Sequence, residues 1–164
     1  MTRFGKALMA VAIIVCAPFS ALADSPETLN ELDAFWADIS RTVQAGDYDG
    51  YRAQYHPDAV VVFDGAGKAL KLARQMLAWK QGFDDTAAGK IKAGVTFRFS
   101  KRITNPATAF EVGIFHYFST DAQGETTSAY VHFEALSVKK GDRWLMVMER
   151  QTGPATRVEY DALQ

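Results

Sequence analysis

From Leu29 onward, apolar residues return at intervals of three and four. Leu29, Leu32, Trp36, Ile39 and Val43 make one stripe with polar positions between them. That period predicts an amphipathic helix. Ser25, Pro26 and Glu27 supply its start, as N-cap, first helical residue and first-turn acid, and Gly46 supplies its stop. Asp47 can cap a short second helix carrying Tyr48, Tyr51 and Tyr55 on one face, which Pro57 ends. The β-branched run Ala59–Phe63, bounded by Asp58 and Asp64, reads as a strand, and Asp64-Gly65-Ala66-Gly67-Lys68 as a turn. A third helix near Lys71 to Gly82 aligns Leu72, Met76, Trp79 and Phe83. Asp84 to Gly94 has no clear period and is expected to be the least ordered internal connection. The period then falls to two. Gly94 to Thr104, Ala109 to Ser119, Thr126 to Lys139 and Arg143 to Gln151 are four long strands joined by short turns, which predicts an antiparallel meander. The fold class is α+β: a curved antiparallel β-sheet wrapped around three N-terminal helices, a cone with an open mouth.

The N-terminus stands apart from this pattern. Arg3 and Lys6 precede the apolar run Ala7–Ala17, and Ala21-Leu22-Ala23 has small-x-small form. Together they predict a cleavable signal peptide, residues 1–23, so the protein is expected to be periplasmic or secreted. The run is shorter than the roughly 20 residues a spanning helix needs, so no membrane attachment is expected after cleavage. Cys16 is preceded by Val15 rather than a small residue, so lipidation is not expected either. An exported product of mass beginning at Asp24 is the test; an intact Met1 or a lipid adduct overturns it. Cleavage would remove Cys16, the only cysteine, and with it disulfides, thiol catalysis and cysteine-ligated zinc. The rest, residues 24–164, reads as a single domain. The full chain's 48% apolar composition can bury a real core, and its net charge of -1 gives no basic field for nucleic acid.

The stretch from Val43 to Leu70, VQAGDYDGYRAQYHPDAVVVFDGAGKAL, resembles the signature region of the nuclear-transport-factor-2-like superfamily, in its SnoaL-like branch. Gly141 to Gln151, GDRWLMVMERQ, is similar to that family's last strand, and the likeness covers nearly all of Pro26 to Thr152. It implies the cone fold. It does not fix a chemistry, because the superfamily holds isomerases, dehydratases, cyclases and non-catalytic dimerisation modules. Ketosteroid isomerases look similar across AGDYDG and DAVVVFDG, and their three site positions can be carried over. The base position holds Phe63, the tyrosine position Ile39, and the strand acid position, by an ungapped match, Glu134. Two of the three are apolar, which argues against steroid isomerisation.

His132 and Glu134 are two apart on a strand, so they share one face about 6.5–7 Å apart at the backbone. They are the candidate catalytic acid–base pair. Trp36, Tyr51, Tyr55, Phe63 and Trp79 join them as candidate ligand-binding residues around the cone. If the face lies outside, His132 and Glu134 are solvated or paired with each other instead. His56, His116 and His132 show no HxH or HExxH spacing, so no metal site is expected, and no cofactor motif is present. Glu149 and Arg150, adjacent, belong on opposite faces. Both rows of the last strand and of Ala109–Ser119 carry large apolar residues, and a sheet apolar on two faces needs covering on both. The resemblance implies a homodimer paired through the open sheet face; a clean monomer in solution would overturn it.

Three function classes stay open. The first is a binder of a small, mostly apolar molecule. The second is a cofactor-independent isomerase, dehydratase or cyclase. The third is an interaction module. A filled cone favours the last, a roomy cone with a desolvated acid favours the enzyme, and a roomy cone with ordinary carboxylates favours the binder.

Overall fold

The computed structural model describes residues 25–163; the expected signal segment lies outside the described residues. Helix α1 (Pro26–Ala45) and helix α2 (Tyr48–Arg52) are followed by strand β1 (Tyr55–Phe63), a 3-10 turn at Asp64–Ala66 and strand β2 (Lys68–Lys71). Helix α3 (Leu72–Ala87) leads to strands β3 (Lys92–Thr104), β4 (Thr108–Thr120), β5 (Thr126–Lys140) and β6 (Arg143–Ala155), and helix α4 (Arg157–Asp161) follows them.

The stripe on α1 does what its period dictates. Leu32, Phe35, Trp36 and Ile39 are buried against the sheet. Gly46 then reverses the chain with φ +67, and a side chain there would sit 2.3 Å from the Ala87 backbone nitrogen. Only glycine satisfies both the left-handed turn and the close approach of α3. Asp47 caps α2 as expected, accepting from the Gly50 N–H at 2.8 Å.

Four features depart from the sequence reading. The sheet has the order β2-β1-β6-β5-β4-β3, and β1 runs parallel to β6, so it is mixed rather than wholly antiparallel. That pairing joins the two ends of the sequence, and no local pattern encodes it. Tyr55 begins β1 instead of closing α2. The α3 helix continues through Ala87, so the connection expected from Asp84 to Gly94 shrinks to a turn. Lys80 with Asp84 and Gln81 with Asp85 are i,i+4 pairs that support the extra turn. Finally, α4 lies across the outer sheet face, where the Tyr160 hydroxyl donates to Thr96 and Arg98 stacks on the Tyr160 ring.

Bulges set which side chains face the helices. Opposite Ser137 and Leu136 of β5, strand β6 carries an extra residue, Val147, and a second, Thr152, lies opposite His132 and Phe133. A third bulge, at Ser100 of β3, brings the Arg98 carbonyl so close to Gly113 that a Cβ there would meet it at 2.1 Å. The inner face of the sheet therefore presents Phe97, Phe99, Phe115, Phe133, Met146 and Glu149 to the helices.

Candidate functional site

The helices do not fill the cone. A cavity of about 360 Å³ lies between α1, α2 and α3 and the inner sheet face, within the range of small-molecule sites. Nine of the residues that line it are aromatic, so an apolar guest would find rings on most sides. Trp36 forms one wall, its ring 4.6 Å from Phe97 and 5.6 Å from Phe133 between centroids. Its indole N–H is taken up by Glu111, to which it donates at 2.8 Å. Trp79 and Phe83 of α3 meet Tyr51 of α2 on the other side.

Polar groups gather at one place on this wall. The Tyr55 hydroxyl donates to Glu149 Oε2 at 2.7 Å, and the Gln151 amide donates to Glu149 Oε1 at 2.8 Å. The hydroxyls of Tyr51 and Tyr55 are 2.9 Å apart, so the chain of hydrogen bonds runs from the carboxyl to Tyr51. Burial pushes the Glu149 carboxyl above the ordinary value of 4.5, against the opposing pull of its bonds from Gln151 and Tyr55. Burial and the neighbouring acid likewise push the hydroxyls of Tyr51 and Tyr55 above the tyrosine range. The direction of the chain follows the proton. An ionised Glu149 makes Tyr51 an acceptor toward the cavity, whereas a neutral Glu149 can donate to Tyr55 and leave Tyr51 a donor.

Of the sequence candidates, Trp36, Tyr51, Tyr55 and Trp79 line the cavity. Phe63 does not; it packs at the edge of the core, on the inner row of β1. His132 and Glu134 also do not. They do share a face, but it is the outer one, because Phe133 and Ala135 beside them are the buried residues. Glu134 receives the Arg150 guanidinium at 3.1 Å, and the same guanidinium holds Asp64. His132 lies half-exposed, 3.5 Å from Glu159 of α4. The acid that faces the cavity is Glu149. Strict alternation puts it in the row of Leu145 and Val147; the bulge at Val147 moves it to the row of Met146. An acid directly after the apolar run Trp144–Met148 is its only signal in the sequence.

The sequence matches no family model and no curated protein. Solved structures do match. Aln2 from a Streptomyces species shares 16% identity at a TM-score of 0.65, over 79% of this chain and 92% of that one. An NTF-2 like protein of unknown function from Shewanella oneidensis shares 17% identity at 0.57, over 75% and 97%. A ketosteroid isomerase-like protein from Erwinia carotovora atroseptica shares 17% at 0.56, over 80% and 99%. The chain has the nuclear-transport-factor-2-like fold. At these identities the likeness shows the fold and leaves the chemistry of the nuclear-transport-factor-2-like cone to its own residues.

One such residue can be read by pH. Because Glu149 titrates higher in the folded chain than in the unfolded one, the native state holds that proton more tightly. Its contribution to stability is full below the unfolded value and is lost as pH rises through the folded one. Glu149→Gln keeps the shape and cannot ionise. Urea denaturation from about pH 4 to pH 8 is expected to show wild type losing stability relative to the variant as pH rises. Parallel profiles would mean that Glu149 is not the buried acid it is taken to be.

Proposed function

We propose that this chain binds a small, mostly apolar molecule in the cone, with a polar end of the ligand meeting Tyr51 and Glu149. The observation that carries this reading is the aromatic-lined cavity of about 360 Å³ with the hydrogen-bonded cluster of Tyr51, Tyr55, Glu149 and Gln151 on its wall. A filled core of this composition would leave no such space, since interiors pack to near-crystalline density.

Gly82 offers a clean test. It lies on α3 against the cavity, and a Cβ built there meets nothing within 4 Å. Gly82→Trp should place an indole in the open space. Replacing a helix-interior glycine also removes part of its backbone entropy cost, so stability should hold. Fluorescence of the neutral probe N-phenyl-1-naphthylamine is expected to rise with wild type, and its affinity to fall about tenfold, roughly 1.4 kcal/mol, with Gly82→Trp. Equal response from both proteins would remove the cone as the binding site.

A second reading is favoured by one observation, the desolvated Glu149. A carboxyl of raised pKa within hydrogen-bond reach of a cavity is suited to general acid–base catalysis of the isomerase or dehydratase kind, without a cofactor. In this reading Glu149 takes the role that the sequence suggested for Glu134 or His132. Turnover of a candidate substrate that survives Glu149→Gln unchanged would dismiss it.

A further inference from the structure

Among the described residues, the acids that are taken out of water have cations of their own, with one exception. Fully buried Glu111 faces Arg102 at 2.7 Å. Glu31, part-buried, receives Lys139 at 2.6 Å together with the Trp144 indole. Glu134, part-buried on the outer face, has Arg150. Glu149 is nearly as buried as Glu111, yet neutral groups hold both of its oxygens. Among the described residues no lysine, arginine or histidine lies within ion-pair distance of it. It is also the acid that lines the cavity.

The lining completes the picture. No Lys, Arg or His is among the described residues around the cavity. An anionic ligand would therefore meet a carboxyl and find no counter-charge. A carboxylate has about four acceptor positions, and two hydrogen bonds leave the remainder free. The groups that face Glu149 are Tyr55 from β1, with Tyr51 of α2 behind it, and Gln151 of its own strand; all are neutral. Around them stand Trp36, Trp79, Phe97 and Phe115, and aromatic rings attract cations more strongly once water is excluded.

We propose that the missing counter-charge arrives with the ligand: the cone selects a small organic cation, an aryl- or alkylammonium, with its charge against Glu149 and its apolar body among the rings. The inference rests on the pocket reading above and adds the sign of the ligand's charge. The ammonium favours the carboxylate form of Glu149, so binding and loss of the Glu149 proton are coupled.

The test uses two probes of one shape. Phenyltrimethylammonium carries a permanent charge, and tert-butylbenzene is its neutral counterpart. Titration of the full chain by tryptophan fluorescence is expected to give the cation an affinity at least about tenfold higher. Glu149→Gln should bring that ratio close to one through loss of the cation's affinity, and continued binding of the neutral probe reports a folded pocket. A further measurement needs no variant. The wild-type affinity for the cation should rise from about pH 5 to pH 8, while that for the neutral probe stays level or falls. A wild-type ratio near or below one, a ratio that survives Glu149→Gln, or a cation affinity flat with pH overturns the proposal while the pocket reading stands. Binding of neither probe at millimolar concentration overturns both.

Discussion

Arg102→Met is expected to destabilise the protein by about 3–5 kcal/mol at neutral pH, the cost of leaving a buried charge without its partner. The side chain is mostly buried beneath α1. Its Nε donates to Glu111 at 2.7 Å, a terminal nitrogen reaches Asp33 at 2.5 Å, and the guanidinium lies over the Phe99 ring. Glu111 is fully buried and has the Trp36 indole as its other partner. Burial already raises the Glu111 carboxyl, and Arg102 works against that rise. Without Arg102 the acid must either stay charged alone or take up a proton. The loss should therefore be greatest at neutral pH and shrink toward about pH 4, as protonation relieves the charge. Pairing Arg102→Met with Glu111→Leu should recover most of it, since well-packed apolar residues often replace a buried ion pair without loss. Urea midpoints for the two single variants and the double variant complete the cycle. A single-variant loss under about 1 kcal/mol would show that Glu111 is relieved by solvent.

Phe133→Ala is expected to cost a similar amount, about 3–5 kcal/mol, by a different route. Phe133 is 1% exposed and sits where four rings converge, with centroids of Trp36, Phe97, Phe99 and Phe115 between 5.6 and 6.1 Å away. Truncation removes contacts to all four and leaves a void they cannot close without leaving their own positions. The void would open into the cavity, because Phe133 lines it. The variant should thus accept a bulkier apolar ligand than wild type does. Saturating such a ligand should return part of the lost stability, in proportion to the logarithm of its concentration above the dissociation constant. Thermal unfolding with and without it would measure both effects. A midpoint shifted by less than about 4 °C would place Phe133 outside the core.

Most of the fold was legible because most of it is periodic. The α1 stripe, its glycine stop, the capping of α2 and the four long strands all follow from local rules of spacing. The parts that were not legible depend on partners far away in sequence. The β2 strand is four residues long, two of them lysines, and exists because β1 offers it an edge. The parallel β1–β6 pair has no local sign. At the site, Trp36, Tyr51, Tyr55 and Trp79 were found because large aromatics on amphipathic elements must point inward. His132 and Glu134 share a face as their spacing requires, but the spacing does not say which face. On that strand, Phe133 and Ala135 compete for the core, and their burial turns the polar pair outward. Glu149 was missed because strict alternation from Trp144 and Met146 selects Met148 and Arg150 for the inner row.

The extra residue at Val147 therefore acts as a parity switch. Counting inward positions along β6 gives 144 and 146 before it, then 149 and 151 after it. Were the strand regular, the same sequence would turn Arg150 into the cone and Glu149 to the outside. The interior would change from acid-bearing to base-bearing without one substitution. In this chain, then, the sign of the chamber is set by where the strand bulges as much as by which residues it carries. Deleting Val147 would make the strand regular and leave Glu149 facing the cone, whereas the full sequence laid out without the bulge would present Arg150 to a guest of the opposite charge.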